Sequence, residues 1–203
     1  MKAFDKPIKI VGLGGSLVRP SMSLAALKVA LAAAEDTGAA TELFDVRELD
    51  LPFFPPKTEE VPKSALLLAD AVHGADGMIW SSPMYHGTIS GSFKNALDWL
   101  ELLADRDPPY LTGTAIGLIS AAGGNQALQA INTMEFVVRA LRGWTVPLVV
   151  PVGHSWQAFD AHGQSRDESL ERQLRLLGQE VVRGAESLIR IGNPISLAAQ
   201  KAS

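Results

Sequence analysis

The chain has 203 residues, 47% of them hydrophobic, enough for one domain with a substantial core and no staples. It contains no cysteine, which excludes disulfides, thiolate metal sites and a cysteine nucleophile. A formal net charge of −4 without a basic block argues against nucleic acid as a partner. No apolar run reaches the roughly 18 residues of a membrane span. Lys2 and Lys6 lead straight into a strand rather than a signal-peptide core, so a cytoplasmic protein is the expectation.

In chain order, Ile8, Ile10, Val11 and Leu13 form a short β-branched run that Gly12, Gly14 and Gly15 break into a loop. Ser16, Arg19, Ser21 and Ser23 follow, and then Leu24, Leu27, Leu31 and Ala34 recur at helical spacing. A strand, a small-residue loop and a helix N-terminus together gather unpaired N–H groups, hydroxyls and a guanidinium, a setting that favours an anion such as a phosphate. The glycines match neither the dinucleotide fingerprint, where Leu17 stands in place of glycine, nor a P-loop. The other reading is an ordinary strand-to-helix turn capped by Ser21 or Ser23.

Gly38 punctuates the end of the first helix, and Ala39 to Val46 reads as a second strand. Four prolines between positions 51 and 62 make that stretch a loop. Its Phe53 and Phe54 read either as a plug over the core or as a lid or partner surface beside a ligand. Lys63 to His73 is a helix, Asp76 to Ser81 a buried strand, and residues 82 to 101 a loop turning into a helix with Phe93, Leu97 and Leu100 inward. Thr114 to Ile119 is a strand. The next helix carries a stripe of Leu128, Ile131, Val138 and Leu141, and Gly143 stops it. Pro147 makes Thr145 to Val152 an edge or bulged strand. Leu170, Leu174, Leu177, Val181 and Leu188 share one face of a long final helix. Residues 1–191 thus form one domain, and 192–203 a tail that is either loose or docked on a neighbouring subunit.

The order βαβαβαβαβα implies a parallel sheet with helices on both faces, and five strands suit the order 2-1-3-4-5. Ligands of such sheets sit beyond the carboxyl ends of the strands, at the switch point between strands 1 and 3. The loops after strands 1, 3 and 4 read GGSLVRPS, SPMYHGT and SAAGGN. None offers a carboxylate pair, a nucleophile with a base, or a metal cluster. Backbone amides and small side chains suit a flat, polar-edged ring with a phosphate, whose own chemistry the protein would position and tune. His154 and Ser155 invite a hydrolase reading, but adjacent loop residues rarely face each other and no G-x-S-x-G elbow exists.

At these loops the sequence resembles the NADPH-dependent FMN reductases of the flavodoxin-like superfamily. Gly15-Ser16 followed by Arg19, Ser21 and Ser23 looks like that family's FMN-phosphate loop. Pro83-Met84-Tyr85-His86-Gly87, continuing to Gly91 and Lys94-Asn95-Ala96-Leu97-Asp98-Trp99, looks like its P-x-Y-N…G-x-L-K-N-x-x-D-W signature. Ser120 through Gly124 resembles its Gly-Gly loop. Arg19 stands one place later than in the commonest arrangement, His86 replaces the usual Asn, and Ile89-Ser90 replaces a frequent Pro.

The resemblance implies a flavodoxin-like three-layer α/β/α sandwich with FMN and NADPH as cofactors. Hydride would pass from NAD(P)H to the flavin and on to an acceptor: free flavin, a quinone, an azo compound or a flavin-dependent monooxygenase. Ser16, Arg19, Ser21 and Ser23 would hold the phosphate, while Pro83, Met84, Tyr85, His86, Gly87, Ser120, Gly123 and Gly124 would line the ring. No side chain need act as acid or base. A homodimer or homotetramer is implied, with Phe53, Phe54 and Tyr110 as candidate walls at the interface, and Lys94, Asn95, Asp98 and Trp99 packing the helix or that interface. The alternative is an electron carrier or flavin-binding module of the same fold without its own reductase activity.

Overall fold

A computed structural model of the chain describes residues 6–57 and 60–192. Of the tail expected over residues 192–203 only Gly192 is described; its remainder lies outside the described residues, as do Lys2, Thr58 and Glu59. Strand β1 spans Lys9–Gly14, helix α1 Met22–Glu35, β2 Ala40–Asp45, and α2 is a single turn at Val46–Leu49. Next come α3 at Lys63–His73, β3 at Gly77–Tyr85, the short β4 at Thr88–Ile89, and α4 at Gly91–Asp98, which tightens into a 3₁₀ turn over Trp99–Leu103. The remainder is β5 at Ala115–Ala121, α5 at Ala127–Ala140, β6 at Trp144–Val152, the single turn α6 at Ser155–Ala158, and α7 at Glu168–Ile191.

The parallel strands lie in the order β2-β1-β3-β5-β6, with β4 pairing antiparallel to β3. Counted without β4, this is the expected 2-1-3-4-5. Alternation along each strand sends residues to two cores. Val11, Leu13, Met78, Trp80, Ile116 and Leu118 face α3, α4 and α5. Ile10, Ile79, Ile119 and Val150 face α1 and α7. The result is the three-layer α/β/α sandwich.

Helix α1 seats closely because its buried face is largely alanine. A Cβ added to Gly178 of α7 would stand 2.0 Å from the Ala30 carbonyl oxygen, so the two helices touch backbone to backbone there. Ser21 caps α1, its hydroxyl accepting the Leu24 N–H at 3.2 Å, which makes Ser21 rather than Ser23 the N-cap. Edge strand β6 takes its irregularity where Pro147 stands: two steps along β5, from Ile116 to Leu118, match four along β6, from Thr145 to Val149.

Two expectations need correction. Strand β3 does not stop at Ser81 but runs on to Tyr85, and the segment taken as loop turns back as a hairpin. In α5, Leu128 is 48% exposed and Leu141 only partly covered; the buried stripe is Ala127, Ala130, Ile131, Met134 and Val138. The large side chain at 128 marks the outer face, and small alanines do the close packing.

Candidate functional site

Three loops meet at the carboxyl ends of β1, β3 and β5. The first follows Gly14. Gly15 has φ +101°, a conformation that favours glycine, and its N–H donates to the Ser81 carbonyl at 3.1 Å. Ser81, which the sequence did not single out, also donates its hydroxyl to the Ser23 carbonyl at 2.8 Å, so β3 ties the loop at both ends. Ser16 is buried and its Oγ accepts the Val18 N–H at 3.2 Å. Ser23 is buried as well, its hydroxyl 3.1 Å from that of Ser21. The Leu24 and Ala25 N–H groups are taken by the Ser21 hydroxyl and carbonyl. Those of Met22 and Ser23 lie in the first turn, where no intrahelical acceptor exists. Leu17, Val18 and Arg19 form the exposed tip.

Arg19 does not reach back over this loop. Its guanidinium pairs with Glu48 of α2 at 3.0 Å. Below it lies a second pair, Arg47 with Asp45 at 3.1 Å, and Asp45 is buried directly under Gly15. A Cβ on Gly15 would stand 2.7 Å from Asp45 Oδ1. This acidic and basic support is carried by β2 and α2, and nothing in the local sequence announces it.

The second loop is the β3–β4 hairpin. Met84 pairs with Ile89 and Tyr85 with Thr88, leaving a two-residue turn of His86 (φ +50°) and Gly87 (φ +82°). Two consecutive positive φ values define the turn that matches the twist of a two-residue hairpin, and Gly at the second position accommodates it. Tyr85 and His86 are exposed, Met84 half-buried and Pro83 buried. The base is pinned by Ser82, whose Oγ accepts the Ser90 N–H at 3.1 Å, while Thr88 and Thr133 of α5 share a hydroxyl contact of 3.2 Å.

The third loop follows β5. Gly123 and Gly124 are exposed, and a Cβ on either would meet nothing within 4 Å. Ser120 behaves differently: it is fully buried at the end of the strand, and its Oγ has no hydrogen-bond partner among the described residues. The β6–α6 connection closes this side, with His154 N–H donating to the Gly124 carbonyl at 3.3 Å and Ser155 N–H to that of Ala122 at 2.9 Å. His154 therefore touches the rim through its backbone.

Asn95 and Trp99 of the second motif do something more local. Asn95 Oδ1 accepts the Phe54 N–H at 2.8 Å, and its Nδ2 donates to the carbonyls of Pro52 at 2.9 Å and Leu51 at 3.3 Å. Trp99 Nε1 donates to the same Pro52 carbonyl at 2.9 Å, and its ring meets Phe54 edge-on with centroids 5.2 Å apart. The two residues clamp the proline-rich loop onto α4, leaving Phe53 outward at 90% exposure. Lys94 and Asp98 pair with each other one turn apart. Tyr110 is half-buried, with the Arg142 guanidinium over its ring. Burial, and then the Glu101 carboxylate that its hydroxyl contacts at 3.2 Å, raise its pKa above the usual tyrosine value. Among the described residues no group of three His, Asp or Glu side chains could hold a metal ion.

A three-layer sandwich of this strand order, with its donor-rich rim at the switch point, defines a flavodoxin-like protein. Two solved structures share the fold over most of their lengths. One is the flavoenzyme FerB, an NAD(P)H:(acceptor) oxidoreductase from Paracoccus denitrificans (TM-score 0.70, 23% identity, 89% of this chain and 98% of that one). The other is RosB (TM-score 0.75, 17% identity, 97% of this chain and 88% of that one). The family model for NADPH-dependent FMN reductases matches residues 8–157. An NADPH-dependent FMN reductase, ArsH, from Shigella flexneri is 30% identical over 178 residues, 87% of this chain and 68% of that protein. An FMN-dependent NADPH-azoreductase from Staphylococcus aureus is 31% identical over 139 residues, 66% of this chain and 71% of that protein. The chain belongs to the NADPH-dependent FMN reductase family. It is an FMN-dependent NAD(P)H oxidoreductase, with FMN as cofactor and NADPH as electron donor.

Proposed function

We propose that FMN binds along the rim of the β1, β3 and β5 loops, and that the chain passes electrons from NADPH through it to an acceptor. The observation that carries this reading is the donor set at the head of α1. The Ser16 and Ser21 hydroxyls and the first-turn N–H groups of Met22 and Ser23 stand where the helix dipole favours a phosphate. Ser23 is enclosed and acts by fixing Ser21 through their hydroxyl contact. Arg19 must leave Glu48 to reach the phosphate.

The open space above Gly123 and Gly124, facing the stiff hairpin of Met84, Tyr85, His86 and Gly87, fits the edge and face of a flat ring. Pro83 and Ser120 are shut away from solvent and would support this floor from beneath. Once bound, the flavin supplies the hydride acceptance and electron delivery that no side chain of the rim offers. The chain's own work is to anchor the phosphate, orient the ring and exclude water from one of its faces. The acceptor is free flavin, a quinone or an azo compound, or a flavin-dependent monooxygenase that draws on it.

The working form is a homodimer or homotetramer. In support, α5 shows Leu128 and Phe136 to solvent, and a cavity of about 400 Å³ lined by Phe54, Leu97, Phe136 and Val137 opens between α4 and α5, beside the projecting Phe53. Among the described residues no helix is long and apolar enough to cross a membrane, in keeping with a cytoplasmic enzyme.

The test is an absorbance spectrum of the purified protein with added FMN, followed by anaerobic NADPH. Flavin bands that bleach on NADPH addition are the expected result. Flavin that binds but stays oxidised would point to a carrier, and no binding would overturn the rim assignment. Sedimentation velocity checks the assembly.

A further inference from the structure

We propose that Glu48 sets how tightly the chain holds the phosphate arm of FMN, by occupying Arg19 and so keeping the flavin exchangeable. The inference rests on the reading above, that the loop after β1 takes the phosphate. Between Gly15 and Ser23 the only charged residue is Arg19. Its Nη2 lies 3.0 Å from Glu48 Oε1. That same oxygen is 3.5 Å from Nη2 of Arg47, which in turn is 3.1 Å from Asp45 Oδ2. Asp45 Oδ1 accepts the Arg47 N–H at 3.0 Å. Two cations and two anions therefore close a neutral chain beside the phosphate loop.

The two ends of that chain differ in freedom. The side chains of Arg19 and Glu48 are 72% and 66% exposed, so their pair is weak and Arg19 can swing away. Arg47 is only 22% exposed, and its Nε and Nη1 are buried without a partner among the described residues. A buried guanidinium with two unpaired donors is costly to strip of its remaining carboxylates. Arg47, tied to Asp45, thus gives Glu48 a second cation, 3.5 Å away, that stays when Arg19 leaves.

A flavin phosphate, carrying close to two negative charges at neutral pH, must compete with the Glu48 carboxylate for the loop's single guanidinium. The hydroxyls and helix N–H groups remain available, so binding is selective for the phosphate but not tight. Riboflavin has no phosphate and is indifferent to Glu48.

The experiment is equilibrium dialysis of the full-length protein against FMN and, separately, riboflavin at low salt, comparing wild type with Glu48→Gln. Gln keeps a hydrogen-bond acceptor for Arg19 and removes the charge. The expected result is an FMN Kd lowered about 3- to 5-fold with riboflavin unchanged. Arg19→Ala should weaken FMN binding, and in that background Glu48→Gln should bring no gain. An unchanged or reduced preference for FMN in Glu48→Gln overturns the proposal, as does a full gain that persists without Arg19. Wild-type protein that binds FMN no better than riboflavin would overturn the phosphate-loop reading itself and the proposal with it. Wild-type preference lost in Ser16→Ala but untouched by Glu48→Gln would leave the loop standing and sink only the role of Glu48.

Discussion

Replacing Asn95 by Ala removes three hydrogen bonds at once: from the Phe54 N–H and to the carbonyls of Leu51 and Pro52. Pro52 keeps the Trp99 indole donor, so its carbonyl is not stranded. The Phe54 N–H and the Leu51 carbonyl are left without partners in a half-buried setting. An intramolecular hydrogen bond contributes about 1 kcal/mol net, and a stranded buried group costs about 1–3. Partial access to water puts Asn95→Ala at about 2 kcal/mol, or a Tm lower by about 4–8 °C for a domain of this size. Urea denaturation measures the first figure and a thermal scan the second. Trp99→Phe is the companion: it keeps an aromatic ring against Phe54 but loses one bond and, Trp99 being buried, leaves a void in the core, so it should cost about 2 kcal/mol or more. Because both side chains act on Pro52, the double variant should be non-additive. Amide exchange at Phe54 should quicken in Asn95→Ala more than exchange in β1. A stability within about 0.5 kcal/mol of wild type, with Phe54 exchange unchanged, would refute the clamp.

Gly178→Ala should destabilise by about 3 kcal/mol or more, measured by urea midpoint, since its Cβ would strike the Ala30 backbone and no side chain can yield. Ser21→Ala should cost about 1 kcal/mol of stability by loss of the N-cap and should weaken FMN binding in the same dialysis experiment. Asp160 accepts the backbone N–H groups of Gln164 and His162, the first being the larger cause of a pKa below the ordinary aspartate value. A carboxylate with a depressed folded-state pKa stabilises its loop above the unfolded value of about 4 and loses that contribution as pH falls through the folded one. The loop at residues 160–164 should therefore stay ordered down to about pH 4 and loosen in more acid solution, read by NMR titration of the Asp160 carboxyl carbon. A titration at or above the ordinary value would contradict the hydrogen bonding seen here.

The parallel core of the fold was written plainly in the sequence, because helix and strand periods alternate cleanly there. Helix α3 has the bounds that its apolar spacing predicts, Lys63 to His73. The end of β3 was obscured because Ser81, Ser82 and Pro83 are poor strand formers; pairing of all three with β5, of Ser81 with β1, and of Met84 and Tyr85 with β4 holds the segment extended. Leu128 misled because hydrophobic size, not fit, drew the α5 stripe. At the rim, the spacing of Gly15, Ser16, Ser21 and the Gly-Gly pair was legible as local chemistry. The hub formed by Asp45, Arg47 and Glu48 was not, since its partners lie some 25 to 35 residues from the loop they support and no periodicity links them. Asn95 and Trp99 were visible as a motif, but their target, a proline-rich loop about 40 residues upstream, is a matter of tertiary contact.

The β3–β4 ribbon bears on how a guest is recognised. A free loop would adopt its bound shape only at a cost in ordering, and could mould itself to rings of several sizes. Met84 and Tyr85 are instead fixed by ladder pairing, and the turn beyond them by two positive φ angles and a seat on α5. If the flavin ring sits against this ribbon, as proposed, the backbone of that wall is set before the ring arrives, and little entropy would be lost on docking. Selection among flat molecules would then become a question of thickness and outline. Such a mould would hold one ring firmly and leave the choice of what approaches that ring to the surroundings.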